Sequence, residues 1–136
     1  MRILLILTAA LTLTMAETTM IKDPTTHLVW EDTVHTTEDK VTFDEAKHYC
    51  STLKLSDVAG WRLPTLKELL TIVNFSRADP AILKEFNHVE TGTVYWTSTP
   101  YVRSKDTFWG IDFKDGSTDG TAKNYNRYIR CVRAAN

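Results

Sequence analysis

Cysteine is scarce in this chain. Cys50 and Cys131 are the only two. They are not in a C-x-x-C arrangement, which argues against a dithiol redox motif. Histidine is also sparse. His27, His35, His48 and His88 form neither H-x-x-x-H nor H-E-x-x-H, so a zinc site has no signature here. No G-x-S-x-G elbow occurs, so the sequence gives no nucleophilic serine of that class. No apolar run after residue 16 is long enough to cross a bilayer, which takes about 20 residues. Low-complexity tracts, internal repeats and interdomain linkers are absent as well.

What the sequence does contain begins with an export pattern. Met1-Arg2 is a short positive start, Ile3 to Leu13 is apolar apart from threonine, and Thr14-Met15-Ala16 ends on a small residue. This is the layout of a signal peptide cleaved after residue 16. No cysteine lies near that position, which excludes a lipoprotein anchor. The expected product is exported, to the periplasm or beyond the cell. Residues 17–22 read as a loose leader and 23–136 as one domain, since 136 residues suit one domain and not two.

Charge adds little attraction for polyanions. Without residues 1–16 the balance is 15 basic against 17 acidic side chains, a net of −2. This argues against a general nucleic-acid binder. The distribution is uneven: residues 17–45 hold eight acids and two lysines. Lys123, Arg127, Arg130 and Arg133 occupy residues 121–136 with no acid among them. Pairing between the two ends explains such blocks more simply than a polyanion ligand.

In an oxidising compartment two cysteines suggest a bridge. Cys50 and Cys131 are 81 positions apart (131 minus 50), and closing so long a loop stabilises by about 4 kcal/mol in the chain-entropy account. Local patterns agree. Thr42-Phe43-Asp44-Glu45 has capping-box form and opens a helix expected over Phe43 to Leu53. Phe43, Ala46, Cys50 and Leu53 share one face of it, so Cys50 points inward. Thr65-Leu66-Lys67-Glu68 is a second capping box, with Leu66, Leu69, Leu70 and Val73 on one stripe. Asp79-Pro80 predicts a helical turn through Leu83, and the polar stretch 31–40 a loop or hairpin.

Strands dominate the second half. Val94–Ser98 and Phe108–Phe113 are rich in aromatic and β-branched residues, and Trp109, Ile111 and Phe113 alternate on one side. Asp115-Gly116 and Asp119-Gly120 read as turns, and Tyr128–Arg133 as the last strand, with Ile129 and Cys131 on one face. Helices first and strands later suit an α+β domain: two main helices on a small antiparallel sheet, closed by one disulfide.

Several segments together resemble the Lcl C-terminal domain family, named after the end of a collagen-like bacterial adhesin. They are Asp23–Trp30, Tyr49-Cys50, Trp61–Leu70, Tyr95–Tyr101, Trp109–Phe113 and Tyr128–Arg133. His27 departs from the glycine usual in the family's first turn, where glycine would allow positive φ. The resemblance implies a C-type-lectin-like fold akin to the formylglycine-generating enzymes. It also implies a bridge from first helix to last strand and binding through irregular loops. One adhesin member is associated with sulfated glycans, which carries over only as analogy.

The chain lacks the Glu-Pro-Asn and Trp-Asn-Asp motifs of calcium-dependent lectins. The carboxylates of Asp112–Asp119 miss the EF-hand spacing and read as turn aspartates. No metal or cofactor is therefore expected. Trp30, Trp61 and Trp96 fit core packing, and Arg62 and Arg130 fit structural ion pairs. The candidate ligand-binding residues are Tyr101, Arg103 and Lys105 between two strands, and Lys123, Tyr125 and Arg127 before the last. Aromatic faces stack on sugar rings and cations pair with acidic groups. Residues 99–127 nevertheless carry five basic and four acidic side chains, too even a balance for a heparin-type site. The expectation is an exported, non-catalytic binding module for a glycan or a protein, with a role such as adhesion. The alternatives are an exported enzyme with a cryptic site and a periplasmic accessory subunit.

Overall fold

The computed structural model describes residues 6, 8–11 and 18–136. The expected signal peptide falls mostly outside that set, its cleavage position at Ala16 included. The elements in chain order begin with β1 (Met20–Asp23), β2 (Leu28–Glu31), α1 (His35–Glu38), β3 (Lys40–Val41) and α2 (Phe43–Thr52). There follow α3 (Leu66–Leu70), β4 (Tyr95–Pro100), β5 (Thr107–Asp112), β6 (Ser117–Ala122), β7 (Arg127–Tyr128) and β8 (Val132–Ala134). The strands form two sheets, ordered β1-β2-β8 and β3-β7-β4-β5-β6. All pairings are antiparallel except β4 with β7.

The chain enters its first sheet earlier than expected. Ile21 pairs with Trp30, so part of the supposed leader over 17–22 is strand β1. The turn to β2 is held by Asp23, whose Oδ1 accepts the Thr25 N–H at 2.9 Å and whose carbonyl accepts the His27 N–H at 3.0 Å. His27 takes φ 58°, the left-handed conformation that glycine adopts without steric cost.

Capping chemistry fixes both predicted helix starts. Thr42 accepts the Glu45 N–H at the head of α2. Thr65 and Glu68 make a reciprocal capping box at the head of α3. The α3 stripe then stops short: the helix ends at Leu70, and Val73 forms a bridge with Ile82. Among the described residues only α2 is a helix of substantial length, so the expectation of two main helices is corrected. The bridge also replaces the helical turn expected at 81–83. Residues 31–40, expected as a polar loop or hairpin, include the short helix α1 and bury Glu31, Asp32, Thr33 and Thr36.

Two strand expectations also change. Asp115-Gly116 is a turn, with Gly116 at φ 83°, but Asp119 and Gly120 lie inside β6. The last strand is split: β7 belongs to the larger sheet and β8 to the smaller one. Between them Ile129, Arg130 and Cys131 are fully or nearly fully buried.

Two apolar clusters result. One gathers Trp30, Leu69, Ile72, Tyr95, Ile111, Phe113 and Val132. The other holds Phe43, Ala46, Cys50, Trp61, Trp96, Ile129 and Cys131. Phe43 stacks on Phe108 with centroids 3.6 Å apart. Trp30, Trp61 and Trp96 are thus core residues, and a large aromatic ring accounts for much of the area each cluster buries. The Cys50–Cys131 disulfide lies in the second cluster and ties α2 to the segment entering β8. No described helix is long and apolar enough to cross a membrane.

Candidate functional site

Five of the six candidate residues sit on two neighbouring loops of the larger sheet, and the sixth, Arg127, opens β7. The first, 101–106, joins β4 to β5. It is closed at its base by the Tyr101 N–H donating to the Thr107 carbonyl at 2.8 Å. Within it the Ser104 N–H donates to Tyr101 O at 3.2 Å. Asp106 takes φ 53° on the way back into β5. The second loop, 123–126, leaves β6. The two are joined by the Lys123 N–H donating to Asp106 O at 2.8 Å, and their side chains approach at 3.9 Å.

Tyr101 is the anchor of the first loop. Its ring meets Trp109 edge-on, with centroids 4.7 Å apart and planes at 78°. It also lies on Gly120, where a Cβ would come within 2.9 Å of the ring. Glycine in β6 is therefore what lets the tyrosine lie against the sheet. Tyr101, Val102, Arg103 and Trp109 line a cavity of about 340 Å³. Val102 is 94% exposed at its rim. A cavity with two aromatic walls, an aliphatic rim and one guanidinium can hold a ring against an apolar face and pair with an acidic substituent.

The six residues do not form one site. Tyr101 and Arg103 share the cavity, and Lys105 is exposed on the same loop. Lys123 connects the loops. Tyr125 and Arg127 make a separate pair, with the guanidinium 5.3 Å from the ring centroid. Sequence reasoning missed Trp109 as a lining residue. Alternation correctly set it on one side with Ile111 and Phe113. It could not reveal that Tyr101, from a loop, covers that end of the face.

The aspartates of the acidic turn bind backbone. Asp112 Oδ1 accepts the N–H groups of Gly92 and Lys114, and Asp115 Oδ1 accepts that of Ser117. The Ser117 hydroxyl and backbone hold the Asp115 carboxyl below its usual range. Asp119 Oδ1 accepts the Gly120 N–H at 2.9 Å. Turn-aspartate behaviour accounts for Asp112 and Asp115, whereas Asp119 bonds the next N–H from inside β6.

Arg62 and Glu68 form a two-pronged pair at 2.7 and 2.8 Å. Hydrogen bonding to Glu68 raises the guanidinium, and hydrogen bonding to Arg62 lowers the carboxyl. Arg130 is fully buried. Its Nη1 donates to Glu31 O at 2.6 Å and meets Asp32 Oδ1 at 3.3 Å, and its Nη2 donates to His88 O. Its guanidinium also lies over Phe86, 4.8 Å from the ring centroid. Both arginines thus serve the scaffold that presents the loops.

The architecture defines a small mixed domain, mostly sheet, with short helices and one disulfide. The family model of the Lcl C-terminal domain matches residues 19–133, and the chain belongs to that family. No curated protein matches the chain.

Proposed function

We propose that this is an exported, non-catalytic binding module of C-type-lectin-like fold. Its ligand is a glycan or a protein, met at loops 101–106 and 123–126 and at Arg127 beside them. The observation that carries this reading is the cavity formed by Tyr101, Trp109 and Arg103. Its two rings and one cation suit a sugar with an acidic substituent better than an uncharged apolar molecule. Export is supported by the disulfide, which persists in oxidising compartments. The absence of catalysis is supported by the same bond. It occupies both thiols that an enzyme of the formylglycine-generating kind needs.

The test is a glycan array and a pull-down with the mature protein, followed by Tyr101→Ala and Arg103→Ala. Binding lost in both variants, with melting unchanged, supports the site. Silence in both screens counts against a binding module, and binding indifferent to both substitutions moves the site elsewhere. Cell fractionation tests export: a product found only in the cytosol overturns it.

A further inference from the structure

A second groove lies on the smaller sheet. Lys22 of β1, Val29 of β2 and Arg133 of β8 are direct cross-strand partners. Directly paired residues project to the same face, so two cations flank one aliphatic side chain. The next row, Ile21, Trp30 and Val132, projects oppositely and packs into the first core cluster. With Met20, Val58, Ala135 and Asn136 the outer row lines a groove of about 390 Å³, whose partly buried floor of Met20, Val29 and Val58 packs against the second core cluster.

Both cations of this row are without an acidic partner. Among the described residues, the ion pairs involve His35, Arg62, His88, Lys123 and Arg130, and neither Lys22 nor Arg133. Arg133 Nε is also buried with no hydrogen-bond acceptor.

From this row we infer that the groove binds an extended acidic peptide of the pattern acid–x–aliphatic–x–acid. The aliphatic side chain rests on Val29 and Val58, and the carboxylates meet Lys22 and Arg133. The spacing supports this occupant. Two strand intervals put the Lys22 and Arg133 backbones about 10 Å apart, and both side chains are long enough to splay outward. Acids four residues apart on one peptide strand are about 13 Å apart. A single small carboxylate fills one end only.

The probe is a fluorescein-labelled Glu-Thr-Val-Thr-Glu peptide, read by fluorescence anisotropy against the mature protein. Binding that weakens with salt is expected. Lys22→Glu and Arg133→Gln should each weaken it about tenfold, the scale of one charge-assisted contact. The Lys-Thr-Val-Thr-Lys peptide should fail on the native protein and bind Lys22→Glu better. Lys22 is exposed, so its variant keeps the test decisive if Arg133→Gln melts early. The inference is overturned by no binding of the acidic peptide, by equal binding of a Gln-Thr-Val-Thr-Gln peptide, or by indifference to Lys22→Glu. Binding of anionic phospholipid vesicles with no binding of the peptide overturns it too. Tyr101→Ala should leave this binding unchanged, which separates it from the loop site.

Discussion

The hydroxyl of Tyr49 donates to Glu31 Oε2 at 2.5 Å, while Glu31 Oε1 accepts the Cys131 N–H at 3.2 Å. Glu31 is fully buried, and the Thr33 hydroxyl donates to Oε2 as well. One carboxylate thereby joins α2, β2 and the strand-entry segment that holds the disulfide. Tyr49→Phe removes one donor from a buried acid and should destabilise by about 1–3 kcal/mol. Chemical denaturation checks this, and an unchanged midpoint would refute the role given to the pair.

The disulfide itself closes a loop of 81 residues. Cys50→Ser and Cys131→Ser should each lower stability by about 2–5 kcal/mol, and by similar amounts, because either one opens the same loop. Thiol titration of the folded native protein should find none, since the described residues hold no free cysteine.

Much of this frame was legible in the chain. Thr42 with Glu45, and Thr65 with Glu68, marked both helix starts because capping is local chemistry. The face of Cys50 followed from helical spacing. The buried network did not show. Glu31, Asp32 and Thr36 read as a polar loop, since their partners, Cys131, Arg130 and the His88 carbonyl, are distant in sequence. Asp119-Gly120 looked like a turn because nothing local announces that Tyr101 needs the space above Gly120. Within the candidate site the loops were legible, but the cavity was not, because it depends on Trp109 at a strand end.

Arg130 illustrates how a distant partner sets energetics. It meets Asp32, which also accepts the N–H groups of Asn87 and His88 at 2.9 and 3.0 Å. Arg130→Met strands that buried carboxylate and should cost about 3–5 kcal/mol. Arg130→Lys keeps the charge but not the fork over three acceptors, and should rescue only partly. Full recovery by lysine would mean that charge alone matters.

His27 offers a gain instead. At φ 58° a non-glycine residue is strained, by about 1–2 kcal/mol in the left-handed region. His27→Gly relieves this but loosens the unfolded chain, at a cost of about 0.5–1 kcal/mol. The net change should lie between zero and a gain of about 1.5 kcal/mol, whereas His27→Val should be destabilising. A loss with glycine would show that the imidazole itself holds the turn.

High pH should unfold the protein through its buried phenols. Burial is the main cause that pushes the Tyr95 hydroxyl from 10.0 up to about 12, with the Arg130 charge acting the other way. Burial and the charge of Glu31 raise Tyr49 further, and burial raises Tyr128. A raised folded-state value means that the unfolded chain loses its proton first. The stabilisation is therefore complete below pH 10 and is lost as pH climbs through about 12. For Tyr95 the loss amounts to about 3 kcal/mol. The melting temperature should hold level up to that window and then fall steeply. Tyr95→Phe loses the bonds to Thr36 O and from the Glu90 N–H, so it starts lower at neutral pH. Its alkaline fall should be shallower, because one proton fewer is involved. Thermal melts of both proteins between neutral pH and pH 12 decide the matter. Parallel falls would mean that Tyr95 ionisation does not drive the transition.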